Sequence, residues 1–278
     1  MSRAPSPFRT AVTLCTFPEA AAGPFVFHGS LEDGFAWAAG HGFDAVELFL
    51  AGPDAVTTEK VLALSKHHRL AIAAVGSGAG MVKHGLSLTD PDPKQRQRAR
   101  RFLREMIDFA GQLGAPVILG SMQGKSGGAV SREQALDWLA EALQEAGDAA
   151  AAHGVPFLYE ALNRYETNLF NLQTAAAAFL QERGLSNVKL LADLFHMNIE
   201  EDDIAAALVS IGPWLGHVHW ADSQRRAMGT GHTNPSPLVS ALQQIGYTGY
   251  VSAEIFPRPD ADAAAARTLD SLRPFARV

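Results

Sequence analysis

The chain has 278 residues, which suits one large α/β barrel or two ordinary domains, and its 47% hydrophobic and 19% charged residues are typical of a globular protein. A net charge of −6 provides no basic surface for nucleic acid or an anionic membrane, so we expect neither as a partner. The single cysteine, Cys15, excludes an internal disulfide and fits a reducing compartment. The sequence shows no signal-peptide pattern and no uninterrupted run of about 18 apolar residues, so we expect a cytoplasmic protein.

Short β-type runs alternate with longer stretches of helical periodicity, which is the pattern of βαβ units and a parallel sheet. The predicted strands are Ala11–Cys15, Ala45–Leu48, Ala71–Val75, Pro116–Leu119, Val155–Leu158, Val188–Leu191, Leu215–Val218 and Tyr250–Ala253. The predicted helices are Leu31–Ala39, Thr57–His67, Lys94–Leu113, Arg132–Ala152, Leu172–Arg183, Asp203–Ile211, Pro237–Ile245 and Asp260–Leu272. Eight alternations without a linker or a change in composition predict a single (β/α)8 TIM barrel, with residues 1–278 as one domain.

Two of the connections between a predicted strand and the helix that follows it are unusually long. One runs from Gly76 to Asp92, and the other runs from Ala221 to Ser236. Loops longer than about 12 residues in compact domains are usually functional or disordered. Because both follow strand ends, where the active sites of such barrels lie, we expect them to cover a substrate.

Four side chains that can bind a metal end four consecutive predicted strands: Glu160, Asp193, His219 and Glu254. Their spacings of 33, 26 and 35 residues fit the repeat of about 31 residues that results when eight βα units fill about 250 residues. Each alone could be a helix cap, a solvated charge or a core histidine, but four on consecutive strand ends indicate a divalent-cation site. His217 and His219 share a face of their strand, and the later residue lies nearer the active-site end.

The donor set narrows the choice of ion. Three carboxylates and one imidazole suit Mn²⁺, Mg²⁺ or Co²⁺ and leave room for substrate oxygens, with Mn²⁺ the favoured ion. Zn²⁺ usually takes more nitrogen or sulfur ligands. Around the four lie Glu166, His196 and Arg225, which could bind substrate hydroxyls and a carbonyl or could form structural salt bridges.

The segments LYEALNRYETN, LLADLFHMNIEEDD, HVHWADSQRRAMGTGH and YVSAEIF resemble the sugar isomerase/epimerase family of xylose-isomerase-like TIM barrels. Within that family they are most similar to the metal-dependent ketose 3-epimerases, of the D-tagatose 3-epimerase and 5-keto-gluconate epimerase type. The similarity spans nearly the whole chain and includes VGSGAG, HGLSLTDPDP and VILGSMQG in the first half. The resemblance implies a small-molecule keto-sugar or keto-sugar acid as the substrate and a homodimer or homotetramer.

The resemblance also assigns roles to individual residues. It implies that the metal is bound by Glu160, Asp193, His219 and Glu254. It further implies that Glu160 and Glu254 form the acid/base pair, and that the substrate is held by Glu166, His196 and Arg225. The chain departs from the family after Arg225, where Met228 replaces an expected proline and Thr233-Asn234 follows His232 in place of an aromatic residue.

The expected reaction is proton transfer beside a ketose carbonyl through a cis-enediolate that the cation stabilises, with inversion at C3 as the favoured outcome. An aldose–ketose isomerase of the hydroxypyruvate isomerase type and a keto-acid dehydratase use the same intermediate and stay open as alternatives. A metal phosphodiesterase of the endonuclease IV type shares this barrel. That class would need several more histidines and a basic DNA-binding surface, which the acidic composition does not favour.

Overall fold

The computed structural model describes residues 8–275, and eight parallel strands in it close into a barrel. Their bounds are β1 (Arg9–Cys15), β3 (Ala45–Phe49), β4 (Ala71–Gly76), β5 (Val117–Leu119), β6 (Phe157–Glu160), β7 (Val188–Asp193), β8 (Leu215–His219) and β9 (Tyr250–Ala253). The strands pair in that order around the barrel, and β9 pairs back with β1. A further two-residue strand, β2 (Phe27–His28), pairs with the end of β1.

Helices surround the barrel and follow its strands. They are α1 (Leu31–His41), α2 (Thr58–His68), α3 (Ala79–Val82), α4 (Pro93–Gln112), α5 (Arg132–Ala152), α6 (Gln173–Glu182), α7 (Leu194–Glu200), α8 (Ile204–Ser210), α9 (Pro235–Gln244) and α10 (Ala261–Leu272). This architecture confirms the predicted (β/α)8 TIM barrel. All eight predicted strands and all eight predicted helices are present, and their ends coincide with the prediction or differ from it by at most two residues.

Among the β-strands and α-helices of residues 8–275, three were not predicted from the sequence: β2, α3 and α7. The first two contain only two and four residues, which is too short for a periodic pattern to show. Helix α7 begins at the residue after β7, so the apolar run through LLADLFHM passes from strand to helix without a break. The predicted strand ends were also too early, because Glu160, Asp193 and His219 are themselves the last residues of their strands.

The predicted signals at helix ends have local physical causes in the structure. The Ser131 hydroxyl accepts a hydrogen bond from the backbone N–H of Gln134 at 3.1 Å, which caps α5. The Asp92 carboxylate caps α4 in the same way, with Pro93 as the first helical residue. After four helices the chain turns in the left-handed region, with φ between 67° and 73°, at Gly114, Gly154, Gly184 and Gly246.

Side chains alternate between the two faces of each strand, and this alternation determines which residues lie beneath the active-site end of the barrel. Leu158 and Leu191 each precede a carboxylate residue by two positions and therefore share its face. With Ala74 and Ile118 they form a buried apolar cluster. Glu160 and Asp193 thus lie above an apolar layer. Within residues 8–275, no helix combines the length and the apolar character needed to cross a membrane.

Candidate active site

The four residues predicted as metal ligands meet at one point of the barrel mouth. Their ligand atoms all lie within 4.8 Å of one another, and all four residues are buried. His219 Nδ1 lies at the centre, 3.9 Å from Glu160 Oε1, 3.7 Å from Asp193 Oδ2 and 3.3 Å from Glu254 Oε2. Glu160 and Glu254, which are 94 residues apart in the sequence, are thereby brought within reach of a single ion.

The chemistry of this cluster fits a divalent cation. Among the described residues, neither Glu160 Oε1 nor His219 Nδ1 has a hydrogen-bond partner, although both atoms are buried. Buried polar atoms without a partner are rare because they are costly. Burial and the neighbouring Glu254 carboxylate raise the pKa of Glu160 well above its usual range. A cation bound by these atoms would relieve the repulsion and give both atoms a partner.

Local structure orients two of the carboxylates. Asp193 is the N-cap of α7, and its Oδ1 accepts a hydrogen bond from the backbone N–H of Phe195 at 2.8 Å. Its Oδ2 is thereby directed to His219 and to Arg225. Beside Glu160, a side chain at Gly120 would place its Cβ 2.6 Å from Glu160 Oε2. The glycine therefore leaves room for the carboxylate.

His196 presents a hydrogen-bond donor to the cluster. Its Nδ1 lies 2.7 Å from the Asn163 side-chain nitrogen, which can only donate, so we assign the ring proton to Nε2. Nε2 is buried without a partner among the described residues and lies 3.5 Å from Asp193 Oδ2. Burial lowers the pKa of His196, which favours the neutral ring. Asn163 also donates to Glu166 Oε1 at 3.2 Å, so a single amide positions two of the predicted substrate residues.

Arg225 contacts the same Asp193 oxygen that lies near His196. Its Nη2 donates to Asp193 Oδ2 at 3.1 Å and to Glu254 Oε2. Burial opposes the charge, but the carboxylates of Glu254 and Asp193 raise the pKa of Arg225, so it stays cationic. Its backbone has a φ of 56°, a left-handed conformation that is uncommon for residues other than glycine. Such a conformation persists only where the surrounding structure holds it.

Asp222 holds the loop that carries Arg225. Its buried carboxylate accepts hydrogen bonds at 2.6–3.0 Å from the backbone N–H groups of Ser223, Gly229, Thr230, Gly231 and Thr233. Burial opposes ionisation, but these donors lower the pKa of Asp222 to about 2. Met228, which replaces the expected proline, is buried in an apolar cluster with Trp220 and Leu238. The loop thus has its own internal support where the sequence departs from the family.

Sequence reasoning missed Asp222, Asn163 and a third residue, Glu47. Glu47 is fully buried in β3, and its two carboxylate oxygens lie 3.1 Å from His219 Nε2 and 2.7 Å from His217 Nε2. His217 therefore contacts Glu47 and is not part of the group formed by Glu160, Asp193, His219 and Glu254. This agrees with its position two residues before His219, farther from the active-site end of the strand. The available signal for Glu47 was a carboxylate within the otherwise apolar strand AVELF.

A cavity of about 290 Å³ opens above the cluster. Its polar side includes Glu160, Glu166, His196, Arg225 and Glu254. The two loops predicted to cover a substrate both contribute, the first through residues 76–79 and 82 and the second through residue 225. A third segment, between β1 and β2, was not predicted and adds an apolar side with residues 17, 20 and 23–25. Residues 16–30 also exceed the length of a simple joint, so the same length criterion would have found that segment.

Comparison with known proteins agrees with the fold. A sequence profile of the xylose isomerase-like TIM barrel family matches residues 35–275. The chain is 33% identical to an L-ribulose 3-epimerase of Methylomonas sp. (strain DH-1), over 84% of this chain and 81% of that protein. It is 32% identical to a Streptomyces coelicolor protein provisionally named a hydroxypyruvate isomerase, over 82% of this chain and 86% of that protein.

A solved structure extends the similarity to the whole barrel. The D-allulose 3-epimerase from Methylomonas sp. in complex with D-allulose matches with a TM-score of 0.77 and 25% identity, over 98% of this chain and 99% of that chain. The chain belongs to the xylose isomerase-like TIM barrel family. Within that family it is a carbohydrate isomerase or epimerase, which confirms the class of enzyme predicted from its sequence.

Proposed function

We propose that the protein inverts C3 of a ketose or keto-sugar acid with a divalent cation, preferably Mn²⁺, held by Glu160, Asp193, His219 and Glu254. The observation that carries this proposal is the convergence of these four buried side chains at the barrel mouth. When bound there, the cation would supply a Lewis acid that stabilises negative charge developing on the substrate oxygens. Similarity to an L-ribulose 3-epimerase over most of both chains supports C3 as the position of inversion.

Glu160 and Glu254 are the proposed acid/base pair. Glu160 ends β6 and Glu254 follows β9, so two strands of the barrel lie between them. One carboxylate removes the proton from the carbon beside the carbonyl, and the other returns a proton to the opposite face, which inverts that centre. Acid–base catalysis of this kind contributes about 10²–10⁴-fold to the rate.

Three further residues are proposed to hold the substrate. His196 Nε2 and the Arg225 guanidinium both border the cavity and can donate hydrogen bonds to an oxygen that gains negative charge. Glu166 is partly exposed at the cavity and can accept a hydrogen bond from a substrate hydroxyl. All three reach the cavity from the segments that follow β6, β7 and β8, with His196 on α7, so we expect them to surround one end of a small molecule.

The charge of the cavity favours a neutral ketose over a phosphorylated or carboxylated one. Among the described residues that line it, Arg225 is the one arginine or lysine, and its charge is already paired with Asp193 and Glu254. Phe17, Pro24 and Phe25 on the opposite side are apolar. A phosphate there would be desolvated without a cationic partner, at a cost that a hydroxyl does not incur.

Aldose–ketose isomerisation is the second candidate, and similarity to the provisionally named hydroxypyruvate isomerase favours it. The same two carboxylates would then move a proton between C1 and C2 of the sugar. The two reactions differ in where the proton returns, which is to C3 from the opposite face in epimerisation and to the neighbouring carbon in isomerisation. Identification of the products separates them.

The test is incubation of the full chain, freed of metal by a chelator and reloaded with Mn²⁺, with a panel of ketoses. The panel contains neutral ketopentoses and ketohexoses, a ketose phosphate and a keto-sugar acid, and the products are identified by chromatography and NMR. Formation of the 3-epimer of a neutral ketose only after reloading supports the proposal. Formation of an aldose alone would establish the isomerase. A parallel incubation contains abasic DNA, and its cleavage with every ketose unchanged would establish a phosphodiesterase.

A further inference from the structure

Glu47 forms a hydrogen-bonded group with His217 and His219 directly beneath the proposed metal site. It lies on β3, whereas both histidines lie on β8, across the barrel interior. All three residues are buried, with exposed fractions of 0–1%. The distances from the two Glu47 oxygens, 2.7 Å to His217 Nε2 and 3.1 Å to His219 Nε2, are those of hydrogen bonds.

The arrangement determines which nitrogen of His219 can bind an ion. An ionised carboxylate only accepts hydrogen bonds, so each Nε2 must carry a proton. That leaves Nδ1 of His219 as the nitrogen that can offer a lone pair. Nδ1 is the atom that faces Glu160, Asp193 and Glu254, and it has no hydrogen-bond partner among the described residues.

The place of Glu47 argues against a direct role in the reaction. The side chain is completely buried, and Glu47 is absent from the residues that line the cavity. An ion pair is also a weak explanation for its presence, because a buried charge usually adds little stability compared with an apolar residue of similar size. His217 shares the carboxylate with His219.

We infer that Glu47 is a positioning residue for the metal site, which holds His219 with Nε2 protonated and Nδ1 directed at the cation. This inference rests on the metal site proposed above and adds a residue to which neither the sequence nor the comparisons assign a role. Carboxylates that accept from a metal-binding histidine fix the ring orientation and raise its basicity as a ligand. The role of Glu47 is therefore in metal affinity, and the sugar has no part in the test.

The test measures Mn²⁺ binding to the chelator-treated full chain by isothermal titration calorimetry, without any sugar. E47L removes both acceptor oxygens at similar volume, and E47Q leaves one acceptor for two N–H donors. We expect the Kd for Mn²⁺ to rise about 100-fold in E47L and about 10-fold in E47Q, the range seen when such an outer partner is removed. Where E47L does not fold, E47Q decides.

H217Q is the matched control, because it keeps a donor to Glu47 and leaves the acceptor of His219 in place. We expect H217Q to bind Mn²⁺ as the wild type does, whatever it costs in thermal stability of the metal-free protein. A purely structural role for Glu47 predicts lower stability in E47Q and H217Q with wild-type Mn²⁺ affinity in both, and that result overturns the inference. A wild-type chain that binds no Mn²⁺ overturns the metal site as well, which distinguishes the two failures.

Discussion

Two carboxylates at the barrel mouth are proposed to do two tasks each. Glu160 and Glu254 both face His219 Nδ1, so both are placed to bind the ion, and both border the cavity, so both can reach a substrate carbon. The two tasks depend on different chemistry. The side-chain amide oxygen of a glutamine can still bind a metal. The amide, unlike a carboxylate, cannot take and return a proton at neutral pH.

Glu254→Gln separates these tasks. We expect the variant to retain Mn²⁺, measured by metal analysis after dialysis, while kcat falls about 10²–10⁴-fold because one acid/base group is lost. Glu133→Gln, at an exposed position in the first turn of α5, makes the same change in charge and should leave kcat unaltered. Full activity in Glu254→Gln would refute the acid/base assignment.

Gly120→Ala tests the room kept for Glu160. A Cβ at this position would come 2.6 Å from Glu160 Oε2, and the flexible end of that side chain is the group that would move. We therefore expect a large loss of kcat with little change in the melting temperature. Gly40→Ala is the control, because nothing lies within 4 Å of its added Cβ, and it should keep full activity. Wild-type kcat in Gly120→Ala would mean that the position of Glu160 is not critical.

The residues found from the sequence share one property, which is their place at a strand end. Glu160, Asp193, His219 and Glu254 could be predicted because barrel geometry assigns the same face to every strand end. Glu47 and Asp222 could not be predicted, because their roles depend on partners and not on position. Glu47 meets a histidine 170 residues away, and Asp222 binds backbone groups, which any sequence offers.

At the scale of elements, the loop after β8 shows how the fold positions a functional side chain. The loop begins at Asp222 and returns to it, and Arg225 stands within the turn in a left-handed conformation. Its length predicted a functional loop, and Arg225 from this loop borders the cavity. Its conformation could not be read, because neither the αL position nor the buried Met228 has a pattern in the sequence. Helix α7 was missed because it begins directly after β7, with Asp193 as its N-cap, so that no break in the sequence separates strand from helix.

Asp222→Asn should loosen this loop. The amide offers one acceptor oxygen in place of two, so some of the five backbone donors lose their partner, at a cost of about 1–3 kcal/mol in the free energy of unfolding. We expect Arg225 to be less well placed, with a higher KM and a lower kcat, measured on the best ketose of the panel. Asp202→Asn, at an exposed position, is the matched control. Unchanged kinetics in Asp222→Asn would show that Arg225 needs no such support.

At the scale of the molecule, the proposed metal ties together the second half of the barrel. Its ligands come from β6, β7, β8 and the residue after β9, which are neighbours in the closed sheet. The closure itself was predictable, because strand and helix patterns repeat along the whole chain. The cover of the cavity by residues 17–25 was not predicted, although the length of the connection after β1 could have indicated it.

Metal removal should therefore lower the melting temperature of the whole protein. An ion at 100 times its Kd stabilises the folded state by about 2.7 kcal/mol, which corresponds to about 5–10 °C for a chain of this size. Thermal denaturation after chelator treatment, and again after addition of Mn²⁺, measures this shift. His219→Asn should show a much smaller one. An equal melting temperature with and without Mn²⁺ would argue against the site.

Incorporation of deuterium from the solvent directly reports proton transfer at C3 of a ketose. The Mn²⁺-loaded protein is incubated with the ketose substrate in D₂O, and NMR locates the label in the recovered sugars. We expect deuterium at C3 of the epimer, and none when the metal is removed. Label confined to C1 of the ketose or C2 of an aldose, or no exchange with any ketose, would rule out proton transfer at C3.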